Sequence, residues 1–365
     1  MTICFFGYPN ETYSRSKVLI DGLKKNRVKT ISCTDKTGFA PLRYWRLFKK
    51  FLPVRNKVDA IFVQFPGHLN MPAAWIIGKI FRKPIIFDAF ISLFDTYVFD
   101  RLAFAEGSLQ AKFYWWVDKI SCQLADKVTL DTRSHVNYFV KTFSLKRTKF
   151  AFIPVGGDDT IFKPKSKVPP IRRAGKGQRS KVVVEFHGMF TKLHGAEIFV
   201  KVAKKLEEHK NLEFWLIGSS SNYDLPIKLY RKLKPKNMKY WPRLPLDKLA
   251  KKIAASDICV GHLGPTQKAH MVVTNKMYHG LASGVALLAG ACKATREFFK
   301  DRENCLFVNM YDPLDLEKKI LMLAGRHKLR NKIAEKGYQL HQEKFTNFIL
   351  GKKLKQIVLA TIKTV

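Results

Sequence analysis

Short apolar runs alternate with segments of helical period along nearly the whole chain, and the alternation is interrupted only once. Ile3–Phe6, Val28–Cys33, Ala60–Gln64, Ile85–Phe87, Val128–Leu130 and Phe150–Ile153 are apolar and end in turn residues. Between them, Ser14–Lys25, Leu42–Leu52, Met71–Phe81, Leu109–Leu124 and Arg133–Thr142 place apolar residues every three or four positions. Strands alternating with helices imply right-handed crossovers and a parallel sheet covered on both faces. The pattern restarts with strands at Val182–Phe186, Leu212–Ile217, Met238–Tyr240, Ile258–Val260, Val285–Leu288 and Cys305–Val308. Its helices are predicted at Ala196–Glu207, Leu246–Ala255, Asn275–Ala282, Thr295–Lys300 and Asp315–Leu323. The chain therefore reads as an α/β protein of two doubly wound parallel-sheet domains.

The interruption is Lys163–Lys181 (KPKSKVPPIRRAGKGQRSK), with eight basic residues, three prolines, two glycines and no acid. Such a stretch cannot bury a core and reads as a linker between a domain over 1–165 and one over 166–345. Two such domains joined once are expected to set the carboxyl ends of both sheets across a cleft. Ligands of open α/β sheets bind at that edge, where loops meet helix N-termini, which favours a phosphate-bearing ligand.

The 365 residues carry 66 Lys and Arg against 29 Asp and Glu, a net charge of +37. Residues 1–165 hold 27 basic and 13 acidic side chains and the remainder 39 and 16, so both halves attract anions. Nucleic acid is not the expected partner, because no nucleic-acid module is present and the aromatics lie within apolar elements. The first strand is followed by no G-x-G-x-x-G, which argues against a dinucleotide oxidoreductase. The longest apolar stretch, Leu281–Cys292, is broken by Ser283, Gly284 and Gly290 and is shorter than the roughly 18–20 residues of a spanning helix. The N-terminus reads as a first strand, not a signal peptide. The six cysteines form no C-x-x-C pair and read as small buried hydrophobes in a reducing cytoplasm.

Two stretches carry the chemistry. In Val182–Glu197 (VVVEFHGMFTKLHGAE) a strand ends at Gly188, a loop follows, and Gly195 opens a helix whose amides and dipole favour an anion. Lys192 and His194 add a cation and a donor on that loop. In Asp257–Gly290 (DICVGHLGPTQKAHMVVTNKMYHGLASGVALLAG), Lys268, His270, Asn275, Lys276 and His279 cluster on a loop and the following helix. Lys276 and His279 share a helix face.

These stretches resemble family 4 of the retaining glycosyltransferases (glycosyl transferases group 1), whose members adopt the GT-B fold of two facing Rossmann-like domains. The run G-x-F-x-x-x-H-G at Gly188–Gly195 is similar to the family's donor-phosphate loop. The run from Gly261 through Lys268 to Asn275, Lys276 and Gly284 is similar to its donor-sugar and nucleotide segment. Phe87–Thr96, Leu124–Thr132, Ile153–Pro164 and Asp312–Leu359 resemble further parts in order. The last implies a final helix, over 346–365, crossing back to the first domain. The resemblance implies a donor site of Gly188, Lys192, His194, Gly195, Lys268, Asn275, Lys276 and His279, with Lys192 and Lys276 opposing the charge of the departing diphosphate. It implies retention at the anomeric carbon without a protein nucleophile. The nucleotide-sugar is then a co-substrate, with no cofactor. The sequence contains no D-x-D triplet, so no metal is expected. Met189 and His194 stand where the family loop carries Arg and Lys, His279 where a Glu grips the ribose, and Val285 where Pro is usual. These departures keep open a second reading, a GT-B scaffold that serves as a partner subunit without turnover.

In the first domain, His68 (in QFPGH), Asp88 and Asp95 follow strand ends and are candidates to orient an acceptor hydroxyl, His68 and Asp88 as catalytic residues. Arg43–Arg55 (RYWRLFKKFLPVR) interleaves aromatics and cations, with Tyr44, Phe48 and Phe51 on one helical stripe. Arg43, Tyr44, Trp45, Arg46, Phe48, Lys49 and Lys50 are thus candidates to rest on an anionic membrane, at the inner face of the plasma membrane, unless the stripe is core. Phe113–Trp116 (FYWW) reads as core. A glycan or lipid-linked acceptor, in synthesis of a cell-surface polysaccharide such as lipopolysaccharide, completes the expectation.

Overall fold

The computed structural model describes residues 1–10, 13–165, 181–220 and 223–364. Residues 166–180 of the basic stretch lie outside the described residues. The chain forms two compact units, Met1–Val155 with Thr346–Val365, and Gly156–Phe345.

In the first unit the strands are β1 (Thr2–Gly7), β2 (Lys29–Thr34), β3 (Ala60–Val63), β4 (Ile85–Asp88), β5 (Lys127–Leu130) and β6 (Phe150–Phe152). Between them run α1 (Ser14–Lys25), α2 (Ala40–Phe51), α3 (Met71–Phe81), the short α4 (Leu93–Asp95), α5 (Leu109–Leu124) and α6 (Arg133–Phe143). All strand pairs are parallel, in the order β2-β1-β3-β4-β5-β6. Alternation along β1 feeds two cores: Ile3 and Phe5 join Val18 and Leu19 of α1, while Cys4 and Phe6 join Leu47, Phe51 and Ile77 on the other face. A sheet buried on both faces needs this near-continuous apolar strand, since successive side chains point to opposite sides.

In the second unit the chain runs β7 (Val182–Phe190), α7 (Ala196–Lys205), β8 (Leu212–Ser220), α8 (Leu225–Leu233), β9 (Met238–Trp241), α9 (Leu246–Ala255) and β10 (Ile258–Val260). It continues through α10 (Asn275–Ala282), β11 (Ala286–Gly290), α11 (Lys293–Arg296), β12 (Leu306–Val308), α12 (Pro313–Gly325) and α13 (His327–Lys344). The parallel order is β12-β11-β10-β7-β8-β9. The last helix, α14 (Asn347–Ile362), belongs to the first unit and packs along α1. Leu350, Leu354 and Val358 are fully buried there, each worth roughly 2 kcal/mol of apolar burial. The two helices approach so closely at Gly22 and Gly351 that a Cβ on Gly351 would lie 2.0 Å from the Gly22 carbonyl carbon.

Four local expectations change. Gly188 lies inside β7, not beyond its end, because the ladder continues opposite Gly218 of β8. These residues adopt φ of 126° and 150°, and a Cβ on Gly218 would meet the Gly188 oxygen at 1.9 Å, so only glycine lets the pair extend. The helix expected at Thr295–Lys300 starts earlier, where the Cys292 amide donates to Thr295 Oγ1 and closes a capping box. The Tyr44–Phe48–Phe51 stripe of α2 faces the sheet. Phe48 and Phe51 pack on Phe81 at 6.1 and 5.7 Å between ring centroids, and the Tyr44 hydroxyl donates to the Leu69 carbonyl. Arg43 is buried, its Nε donating to Asn70 Oδ1 at 2.8 Å and its Nη1 to the Thr37 carbonyl at 2.8 Å. Of the residues proposed to touch a membrane, Trp45, Arg46, Lys49 and Lys50 remain exposed. Phe113 and Trp116, read as core, are exposed on α5.

Candidate functional site

In the second unit the strand order reverses direction between β7 and β10. At such a switch point the chain leaves neighbouring strands toward opposite faces and opens a crevice at their carboxyl ends. Both sequence stretches singled out for chemistry end there, and the structure ties them together. The Leu263 amide donates to the His194 carbonyl and the Gly264 amide to the Leu193 carbonyl, each at 3.0 Å. A Cβ on Gly195 would stand 2.9 Å from the Gly264 nitrogen, and one on Gly264 would stand 1.9 Å from the Lys192 oxygen. Two glycines therefore let the turn before α7 press against the loop after β10. Gly195, at φ 67°, also ends the Lys192–His194 turn and opens α7.

Lys276 reaches the same place from the first turn of α10. Its Nζ lies 3.8 Å from the centroid of Phe186, and a Cβ on Gly188 would meet Lys276 Cε at 3.5 Å. The amine is buried and has no hydrogen-bond partner among the described residues. Burial lowers its pKa to about 7, against the opposing pull of Cys259 and Glu185. Charging a buried amine that has no partner is costly, and perturbed groups of this kind recur where ligands bind. His194 donates from Nδ1 to the Met189 carbonyl. Burial first, and then the Lys276 charge, keep its pKa well below the usual histidine value. The ring is thus neutral, with Nε2 carrying a lone pair.

His279, one turn further along α10, belongs to a relay that the sequence did not disclose. Glu185 and His187 alternate along β7, so their side chains share a face, and His187 Nδ1 lies 2.9 Å from Glu185 Oε2. A carboxylate only accepts, so this nitrogen carries the proton and His187 Nε2 is left to accept. His279 Nδ1 stands 3.1 Å from it and must donate. His279 Nε2 is then a lone pair, buried and without a partner among the described residues. Phe162 stacks on the His279 ring at 3.8 Å and 11°, and burial keeps His279 neutral. The signal that could have found Glu185 and His187 was their period-two placement within an otherwise apolar strand. Cys259, Glu185 and His187 offer atoms within 4.8 Å of one another. Burial and the Glu185 charge push the Cys259 thiol well up, and Glu185 and His187 bond each other.

The remaining donor candidates lie on the same two stretches. Lys192 is half-buried on the turn before Gly195, Lys268 is buried in the Gln267–His270 turn, and Asn275 is half-buried at the start of α10. Thr274 precedes it as an N-cap without a side-chain bond, its hydroxyl lying 3.3 Å from His262 Nδ1.

The first-unit candidates are held by their own neighbours. His68 follows β3, beside the switch point between β1 and β3, and is buried with its Nε2 3.2 Å from Asp118. That carboxylate in turn accepts from Ser92 Oγ at 2.6 Å and from the Phe94 amide at 2.9 Å. Asp88 is not a free carboxylate. Arg15 Nε and Nη2 donate to it at 2.9 and 2.8 Å, and Thr129 Oγ1 donates at 2.7 Å. Arg15 Nη1 donates onward to the Ile153 carbonyl at 2.8 Å, so the buried pair ties α1 to β4 and to the chain after β6. Asp95 is fully buried in α4, its amide donating to Ser92 Oγ.

Residues 196–347, which lie in the second unit apart from the last two, match the Glycosyl transferase-like family. Among curated proteins no sequence relative is found. Solved structures resemble the chain over its full length. The Anabaena HepE protein in complex with UDP and glucose superposes with a TM-score of 0.73 at 12% identity, covering 99% of this chain and 100% of that one. Sucrose-phosphate synthase from Thermosynechococcus elongatus gives 0.72 at 14% identity, with both chains fully covered. A glycosyltransferase from Rickettsia africae gives 0.68 at 13%, covering 100% of this chain and 99% of that one. The fold is GT-B, with two Rossmann-like units of six parallel strands each. No described helix is long and apolar enough to cross a membrane.

Proposed function

We propose that the chain is a retaining glycosyltransferase that moves a sugar from a nucleoside-diphosphate-sugar to a hydroxyl of a glycan or lipid-linked acceptor. The observation that carries this reading is the buried Lys276 amine, without a hydrogen-bond partner among the described residues, beside Gly188 at the switch point of a glycosyl transferase-like domain. Binding of UDP and glucose by the HepE protein of the same fold supports a nucleotide-sugar as the donor.

In the proposed reaction the anomeric C–O bond to the diphosphate breaks and the acceptor oxygen bonds the same face of the sugar. The acceptor proton passes to an oxygen of the leaving phosphate, so no protein nucleophile is needed. The protein holds both partners and meets the charge that grows on the diphosphate, which is where fixed cations and dipoles act most strongly. Lys276, Lys192 and the first amides of α7 supply that potential, and His194 takes up a proton as the diphosphate arrives. His279 Nε2 accepts from a ribose hydroxyl, the work a carboxylate does elsewhere in the resembling family. His68 lines the acceptor side, and Asp88 shapes it through Arg15.

A panel of UDP-, GDP- and ADP-sugars tested for thermal stabilisation, with the product anomer read by NMR, examines this reading. One donor should raise the melting temperature, and the product should keep the donor's anomeric configuration. The exposed Met189, standing where the resemblance anticipates Arg, favours the second reading of a partner subunit. Tight donor binding with no turnover on any acceptor would support it.

A further inference from the structure

The solvent face of α5 is apolar where a surface helix is normally polar. Leu109, Phe113, Trp116 and Ile120 follow one another at four- and three-residue steps, so they form one stripe, and all are exposed, Leu109 by 81%. The buried side of the same helix is made of Ala111, Asp118, Ser121 and Cys122. Beside it α3, in contact with both α5 and α2, turns Trp75, Ile76 and Ile80 outward, Ile80 by 58%. Trp45 of α2 extends the surface, half exposed. Contiguous apolar surface of this kind is rare on a protein that meets only water.

Charge identifies what covers it. Among the residues of these three helices the only carboxylate is Asp118, and it is buried. Arg46, Lys49, Lys79 and Lys112 are exposed among the aromatics, and Lys49 and Lys119 lie 3.9 and 5.4 Å from the ring centroids of Trp45 and Trp116. A second copy of this chain would bring the same cations against them and offer no acid. We infer that the outward face of α2, α3 and α5 docks on an anionic lipid bilayer. The aromatic and aliphatic side chains enter the boundary between headgroups and acyl chains, and the lysines engage the lipid phosphates. Aromatic rings with a polar edge or a neighbouring cation suit that layer, being apolar on one side and wet on the other. The inference does not depend on the donor chemistry of the second unit, because every residue it uses is in the first.

The test is co-sedimentation of the full chain with phosphatidylcholine vesicles and with vesicles that also contain phosphatidylglycerol. The parent should bind the mixed vesicles and bind the zwitterionic ones far less. The double variant Phe113→Ser, Trp116→Ser should bind the mixed vesicles at least about tenfold more weakly. Leu314→Ser, which removes an exposed apolar residue of the second unit, should bind like the parent. Thermal melts should show the double variant still folded at the assay temperature, since both side chains are about half exposed and outside the buried core. The proposal is overturned if the double variant binds like the parent, or if moderate salt removes all parental binding. It is equally overturned if the parent ignores both vesicles and forms a dimer that the double variant dissolves.

Discussion

His187 and His279, 92 positions apart in the chain, stand ring to ring with 3.1 Å between His187 Nε2 and His279 Nδ1. With the proton of a neutral His187 ring on the nitrogen facing Glu185, His279 is the donor in this bond. The consequence is a neutral acceptor at His279 Nε2, held flat by Phe162.

Replacing His279 with Phe keeps the stack on Phe162 but removes that acceptor. Donor affinity should fall about tenfold, the worth of one hydrogen bond of ~1 kcal/mol or slightly more. His187→Phe should weaken binding in the same direction, because His279 then loses its reason to keep the proton on Nδ1. Titration calorimetry with the stabilising nucleotide-sugar measures both, and unchanged affinity in both variants would remove His279 from the site.

Lys276 predicts a stability effect with a definite sign. Its pKa is about 7 in the folded chain and near 10.5 unfolded, so between these values the unfolded state binds more protons. Stability from this group therefore rises as pH climbs from about 7 toward 10.5 and is lowest below 7. Lys276→Met should be more stable than the parent at pH 7, on the order of 3 kcal/mol, and the gap should close by about pH 10. The same variant should lose donor-induced stabilisation. Urea melts of parent and variant at three pH values check the first effect, and a parent that responds to donor no better than the variant would contradict the second.

Donor binding should take up protons. Free His194 is neutral and free Lys276 is only partly protonated near pH 7, and a diphosphate beside them raises both pKa values. Affinity should tighten as pH falls through 7, because the diphosphate of a nucleotide-sugar, esterified at both ends, keeps its charge over this range. Calorimetry in two buffers of different ionisation enthalpy reads the uptake directly. Equal heats in both buffers would contradict it.

Asp88 should behave as a structural residue. Asp88→Ala leaves the Arg15 guanidinium buried and unpaired, which costs about 3–5 kcal/mol. The double replacement Arg15→Met, Asp88→Leu should regain most of that stability, as the charge and its partner leave together. An Asp88→Asn variant of parental stability and much reduced turnover would instead return Asp88 to the catalytic set.

Sequence patterning reads this fold well where a strand must be apolar on both faces, as in β1, β3 and β4, since nothing but a covered sheet tolerates such runs. It reads faces poorly. In the FYWW run of α5, Trp115 does pack on the core, but Phe113 and Trp116 look like core only because aromatics normally bury, and the small and polar residues opposite them show that the helix packs by another side. Gly188 looks like the end of a strand until Gly218 is set beside it. Gly188, Gly195 and Lys276 stand out in the sequence as turn glycines and a helix-start cation. The Glu185–His187–His279 relay and the Arg15–Asp88 pair join residues far apart in the chain, and no local pattern announces them.

The seating of α14 on α1 has a consequence for how the protein is made. A ribosome delivers residues 1–155 long before the segment that completes their apolar layer, so Ile3, Phe5 and Leu19 await Leu350 and Leu354 while the entire second unit is synthesised. Losing the last few turns of the chain would therefore injure the part translated first. The neighbouring unit, complete by Phe345, would be left to fold on time.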